Sequence, residues 1–226
     1  IACQYGRLEC ARLLRDAGAD INQAMNGGAT PLFIACQQGH GECARLLLEA
    51  GVAADQACGD GAAPLFIACQ EGHLECVRLL LEAGAAVNQA RNDGSTPLFA
   101  ACHNGHLEVA KLLSSYGASR AATPFGTPEE IANSQGHTDL ATWLVASRGW
   151  TPLAHLETLT AARATSLLRS GASLHEGEPT PLRRAAGGEG EAAALIRRAA
   201  APWSPASHSL FPAAARARAA LLVLSI

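Results

Sequence analysis

Apolar residues in this chain come in paired short blocks separated by polar turns. Leu32, Ile34, Ala35 and Cys36 form one block; after Gly39 and His40, Cys43, Leu46, Leu47 and Leu48 form the next. Each block fits the buried side of a short helix, so the unit reads as helix, turn, helix. Thr30 offers a hydroxyl to an orphan amide at the first helix start, and Pro31 lacks the amide that would go unpaired there. Gly18, Gly51, Gly84 and Gly117 stand where a second helix ends in the left-handed conformation. A polar loop follows, residues 19–29 in the first instance, with Met25, Asn26, Gly27 and Gly28 at its tip. A lone helical pair cannot bury its apolar face, so such units must stack.

The pattern is periodic. IACQYG opens at Ile1, IACQQG at Ile34, IACQEG at Ile67 and AACHNG at Ala100, each 33 residues after the last. With Thr-Pro-Leu at 30–32 and 96–98, this period resembles the ankyrin-repeat family. The resemblance implies an all-α solenoid of stacked helix-turn-helix units with projecting loops. It is specific over 1–148, with an incomplete first repeat and a shortened last one beginning at Thr127-Pro128. It thins over 149–201, where Thr151-Pro152-Leu153 and Thr180-Pro181-Leu182 open degenerate repeats, the first with an altered turn at 157–160. Residues 202–226 depart from it and read as a helical cap or a docking segment. Two departures fall inside the regular part. Ala63 replaces the capping threonine, a loss of about 1 kcal/mol. Phe33, Phe66 and Phe99 stand where the family usually has histidine after Thr-Pro-Leu, replacing a hydrogen-bond pattern with apolar packing.

Composition agrees with thin, closely stacked helices: 49% of residues are apolar, 16% charged and only 4% aromatic. The formal net charge of −3 gives no electrostatic reason to expect nucleic acid or an acidic membrane. No apolar run approaches the roughly 20 residues that span a bilayer. With no initiator Met or secretory leader, and a first residue already inside a repeat, the chain reads as part of something longer. The cytoplasm or nucleus is the expected compartment, and a monomer the expected state.

The eight cysteines fall into columns. Cys3, Cys36, Cys69 and Cys102 share one register, and Cys10, Cys43 and Cys76 another, continued by Val109. Neighbouring repeats stack roughly 8–10 Å apart, beyond the about 4.4–6.8 Å between Cα atoms that a disulfide needs. Bridges along a column are therefore excluded, and one within a repeat, such as Cys36 to Cys43, is geometrically conceivable. Buried free thiols in a reducing compartment are the expectation, and no pair has zinc-ribbon spacing.

No constellation points to catalysis, a cofactor or a metal. His40, His73, His106 and His137 each follow glycine at one repeat position, which suits a turn role in hydrogen bonding backbone. Cys102 and His103 are adjacent, but neighbours on a helix point about 100° apart, and Cys102 belongs to the buried column. The glycines near residues 27 and 61 precede no Gly-Lys-Ser/Thr. Glu129 and Glu130 favour the dipole at a helix start.

What remains is surface. The resemblance implies binding of another protein through loop tips and the exposed side of the first helices, lining a concave face. Carried onto this sequence, the loop positions are Asn26, Gly27, Ala29, Gly59, Asp60, Ala62, Asn92, Asp93 and Ser95. The helix positions are Tyr5, Gln37, Gln38, Gln70, Glu71, His103 and Asn104. This set is polar, with Tyr5 and Arg91 as its hot-spot residue types, and Asp60, Glu71 and Asp93 favour a basic or polar partner segment. The expectation is a non-catalytic interaction scaffold. Its alternatives are an adaptor of the ubiquitin-ligase kind, docking through 202–226, or a regulatory region of a larger enzyme.

Overall fold

The computed structural model describes residues 1–201 and 208–213. The cap or docking helix read over 202–226 therefore lies outside the described residues except for 208–213. Among the described residues there are twelve α-helices and no strand. They fall into two compact units, dividing between Ala146 and Ser147.

The first unit holds α1 (Leu8–Asp16), α2 (Pro31–Gln37), α3 (Gly41–Glu49), α4 (Pro64–Glu71), α5 (Leu74–Glu82), α6 (Pro97–His103), α7 (Leu107–Ser115), α8 (Pro128–Ser134) and α9 (Thr138–Ala146). First helices pack on first helices in the order α2, α4, α6, α8, and second helices in the order α1, α3, α5, α7. The two layers are joined within each repeat, α2 to α3, α4 to α5, α6 to α7 and α8 to α9. Leucines repeat through the seam: Leu32, Leu65, Leu98, Leu80 and Leu113 are all essentially inaccessible. Burying each such side chain stabilises the fold by about 1.5–3 kcal/mol. At the first described repeat the face is uncovered. Leu13 is 68% exposed, whereas its register partner Leu46 is 6% exposed.

Helix starts follow the sequence. Thr30 Oγ1 accepts from the Phe33 amide at 3.2 Å, and Thr96 Oγ1 from the Phe99 amide at 3.2 Å. Ala63 offers no such bond. Thr127 and Glu130 form a reciprocal capping box on α8, so the paired carboxylates at 129–130 include one with a defined helix-starting role.

The histidines after glycine clasp neighbouring repeats. His40 Nε2 donates to the Gln4 carbonyl at 3.1 Å, His73 to Gln37 at 3.1 Å, His106 to Gln70 at 3.0 Å and His137 to His103 at 3.1 Å. Each ring lies over a glycine of the preceding repeat. A Cβ added at Gly6, Gly39, Gly72 or Gly105 would fall 2.5–2.6 Å from a ring atom, and all four have positive φ. Glycine is needed here both for its backbone region and for the close approach. Each such bond contributes about 1 kcal/mol net.

All eight cysteines are free. Besides neighbours along the first column, Cys36 with Cys69 and Cys69 with Cys102, two pairs run diagonally between columns, an arrangement the sequence did not suggest. Cys3 lies near enough to Cys43 for burial and then that thiol to raise its pKa, and Cys36 near enough to Cys76 for that thiol and then burial to do the same; each pair runs from the first column to the other in the next repeat. Cys69 would be next, but Val109 stands where its partner would be. Cys10 is exposed, not buried, because it lies on the uncovered α1.

The second unit holds α10 (Ala161–Arg169), α11 (Pro181–Gly187) and α12 (Glu191–Ala200). Thr151-Pro152-Leu153, read as a helix start, yields only a 3₁₀ turn at Pro152–Ala154, and Thr151 makes no capping bond. No glycine lies between Thr151 and Thr160, so no left-handed residue can close a helix there. Instead, Thr160 caps α10 through the Arg163 amide. Leu153, Ala164, Ala185, Ala193 and Ile196 make a separate core, with Leu210 buried against it. His155, 1% exposed, stacks edge-on to Trp150 at 5.2 Å, and the Arg184 guanidinium lies 3.4 Å over the Trp150 ring. Glu157 pairs with Arg184 at 3.3 Å.

Candidate partner-binding site

The sixteen positions named from sequence differ in exposure and in the bonds they already make. At the loop tips much of their polarity is already engaged. The Gly59 amide donates to the Gly27 carbonyl at 3.1 Å and the Asn92 amide to the Asp60 carbonyl at 3.0 Å, so consecutive loops are laced together. Asn92 Nδ2 adds a bond to the Gly59 carbonyl. Asp60 and Asp93 turn their own loops by accepting from the Ala62 and Ser95 amides. Ala62 and Ser95 are 4% and 3% exposed and contribute almost no surface. Ala29 is half-buried, and its carbonyl accepts from the Met25 amide. Asn26 and Gly27 are exposed at the tip.

On the helices, Gln37 is half-buried and Gln38 exposed at the end of α2, and Tyr5 is 63% exposed at the start of the chain. Gln70 Nε2 donates to Glu71 Oε1. Asn104 Nδ2 turns back onto the Ala100 carbonyl of its own helix.

Six of the positions do converge. Gln70, Glu71, Asp93, Ser95, His103 and Asn104 line one recess of about 570 Å³ on the first unit. Residues outside the sixteen complete it: Arg91, Phe66 and Phe99, the last two read from sequence as packing residues, together with Phe125 and Ile131. Three of these add aromatic surface beside the polar set named from sequence. Phe99 is half-buried and Phe125 52% exposed, with ring centroids 5.3 Å apart. Phe99 also lies 5.9 Å from the His103 ring. The signal was present in the register. Counted from the preceding helix-ending glycine, Phe125 stands eight residues after Gly117, as Asn92 stands eight after Gly84. The shorter loop there hid it, because counting back from Thr127 selects Thr123 instead.

The electrostatics are set by one clamped cation. Arg91 pairs with Asp60 at 3.0 Å and Asp93 at 3.5 Å, and its guanidinium lies 5.3 Å from the Phe66 centroid. The Ser95 amide, then the Ser95 hydroxyl and Arg91, hold the Asp93 carboxyl below the usual carboxylate range. Asp93 is therefore anionic at neutral pH, and with Glu71 it lines the recess beside an apolar shelf of Phe99 and Phe125.

Chemical reactivity is not supported at this place. Burial first, and then Glu129, push the Cys102 thiol up to about 12, so it is protonated at neutral pH and no nucleophile for His103 to activate. Among the described residues no group of three or more His, Cys, Asp or Glu is placed to hold a metal, and no helix is long and apolar enough to cross a membrane.

A family model for ankyrin repeats matches the sequence in three overlapping copies, over residues 1–91, 50–124 and 84–158. No curated protein matches the chain.

Proposed function

Since the chain belongs to the ankyrin-repeat family, whose repeats generally serve protein–protein interaction, we propose that it is a non-catalytic scaffold receiving a partner protein in the recess on its first unit. The observation that carries this reading is the Phe99–Phe125 shelf: an aromatic surface, half open to solvent, formed where the loop carrying Phe125 meets Phe99 on α6. Aromatic anchors in a partly enclosed site supply large contact area at small entropic loss, which is how binding hot spots are built. The flanking Gln70, Glu71, His103 and Asn104 give a polar rim. The net charge of −3 disfavours a nucleic acid as that partner.

The test is affinity capture from a lysate of the source organism, comparing the wild-type chain with the double variant Phe125→Ala, His103→Glu and with Glu82→Ala, a control exposed at the end of α5. Proteins bound by the wild type should be retained by the control and depleted about tenfold or more by the double variant, with helicity and melting temperature unchanged. Equal capture by all three proteins would place binding elsewhere.

A further inference from the structure

The first unit already shows how it binds a guanidinium. Arg91 lies over Phe66 and is held by Asp60 and Asp93. Moving this arrangement on by one repeat of 33 residues turns Arg91 into Pro124, Phe66 into Phe99 and Asp60 into Asp93. The aromatic ring and one of the two acids are retained, Asp93 itself becoming Gly126, and the cation is lost. Pro124 is packed near Gly94, where an added Cβ would meet its ring at 3.0 Å, and it carries no charge. The ring that follows it, Phe125, leans over Phe99 and enlarges the apolar shelf.

Resting on the reading of the recess as a partner site, we propose that it accepts an extended peptide segment carrying an arginine or lysine next to an aliphatic or aromatic side chain. The basic group stands against Asp93 and Glu71, and the apolar one on Phe99 and Phe125. Charge complementarity supports this occupant. Asp60, Asp93 and Glu71 bring three negative charges and Arg91 one positive charge, and Asp93 remains 41% exposed although it contacts Arg91. An incoming guanidinium gains both a carboxylate and a ring face, the combination that favours arginine over a bare ammonium. An acidic peptide would meet the same carboxylates and be repelled.

Selection of phage-displayed random peptides on the folded chain tests the proposal, followed by titration of the enriched peptides into wild type, Asp93→Asn, Glu71→Gln and Phe125→Ala. Asparagine at 93 can still accept from the Ser95 amide, so it removes charge without removing the turn; each variant is first checked for unchanged helicity and melting temperature. The expected result is a motif pairing a basic with an apolar residue. Affinity should fall about three- to tenfold with either charge variant, about tenfold with Phe125→Ala, and further as salt is raised. Peptides that lose affinity with Phe125→Ala but lack a basic residue, or ignore both charge variants, would overturn this inference and leave the recess as a binding site. Peptides indifferent to all three variants would count against the recess itself. Failure to enrich any peptide would overturn the extended-segment occupant, leaving the scaffold reading to the capture experiment.

Discussion

The two units start from related sequence and end with different interiors. In the first, the repeats from Thr30 to Ser115 bring the same parts at the same interval: leucines in the seam and a glycine under the next repeat's histidine, with loops bonded at Gly27–Gly59 and Asp60–Asn92. In the second, Thr-Pro-Leu persists twice, yet the projecting loop before Thr151 is missing and, among the described residues, no glycine lies under a histidine ring; Trp150, His155, Arg184 and Glu157 pack together instead. The comparison teaches that Thr-Pro-Leu does not by itself make a repeat helix. Thr96 starts one because a glycine, Gly105, closes the turn after it; Thr151 starts only a 3₁₀ turn because none does.

The largest expected effect separates the two cores. Leu80→Ala and Ile196→Ala each remove a fully buried side chain and should each cost about 2–5 kcal/mol. Hydrogen exchange should locate the losses differently: across neighbouring repeats of the first unit for Leu80, as expected for a stacked array, and from Ser147 onward for Ile196. Identical exchange maps would erase the distinction.

Glycine substitution gives the next contrast. Gly72→Ala forces a positive φ on a residue with a Cβ and drives it into the His106 ring, with an expected loss of about 1–3 kcal/mol in denaturant titration. Gly187→Ala, at the end of α11 with open space around it, should be neutral or stabilise by up to about 1 kcal/mol.

Within the first unit, Ala63→Thr supplies the cap that Thr30 and Thr96 provide in equivalent positions. It should stabilise by about 1 kcal/mol, seen as a raised melting temperature.

The smallest effect depends on pH. The Thr127 amide, and then its hydroxyl, hold the Glu130 carboxyl below the usual range. A depressed folded-state value means this contribution is present above the ordinary carboxylate pKa and lost as pH falls through the folded one. The melting-temperature difference between wild type and Glu130→Gln should therefore shrink as pH is lowered through that window. A constant difference would remove Glu130 as its source.

Much of this was legible in the sequence because it is local or periodic. Threonine caps, helix-ending glycines and the leucine seam each follow from a residue and its near neighbours. The role of the post-glycine histidines was legible too, although the carbonyl each one binds, a repeat away, was not. The diagonal pairing of Cys3 with Cys43 and of Cys36 with Cys76 was not legible, because it is set by how the helices stack. The recess was half legible. Glu71, Asp93 and His103 lie at repeat positions that face outward, whereas Phe66 and Phe99 looked like packing residues. Phe125 sits in a loop whose length breaks the register, so neither periodicity nor composition pointed to it. The Trp150–His155–Arg184 cluster joins residues with no common spacing, and only the folded chain brings them together.

The central claim is that the recess on the first unit is where a partner binds. Hydrogen exchange on the chain with and without a captured partner tests it most directly. The account predicts slowed exchange at the end of α4, in the loop around Asp93, along α6 and around Phe125. Slowing confined to the second helices, or to residues from Ser147 onward, would contradict it.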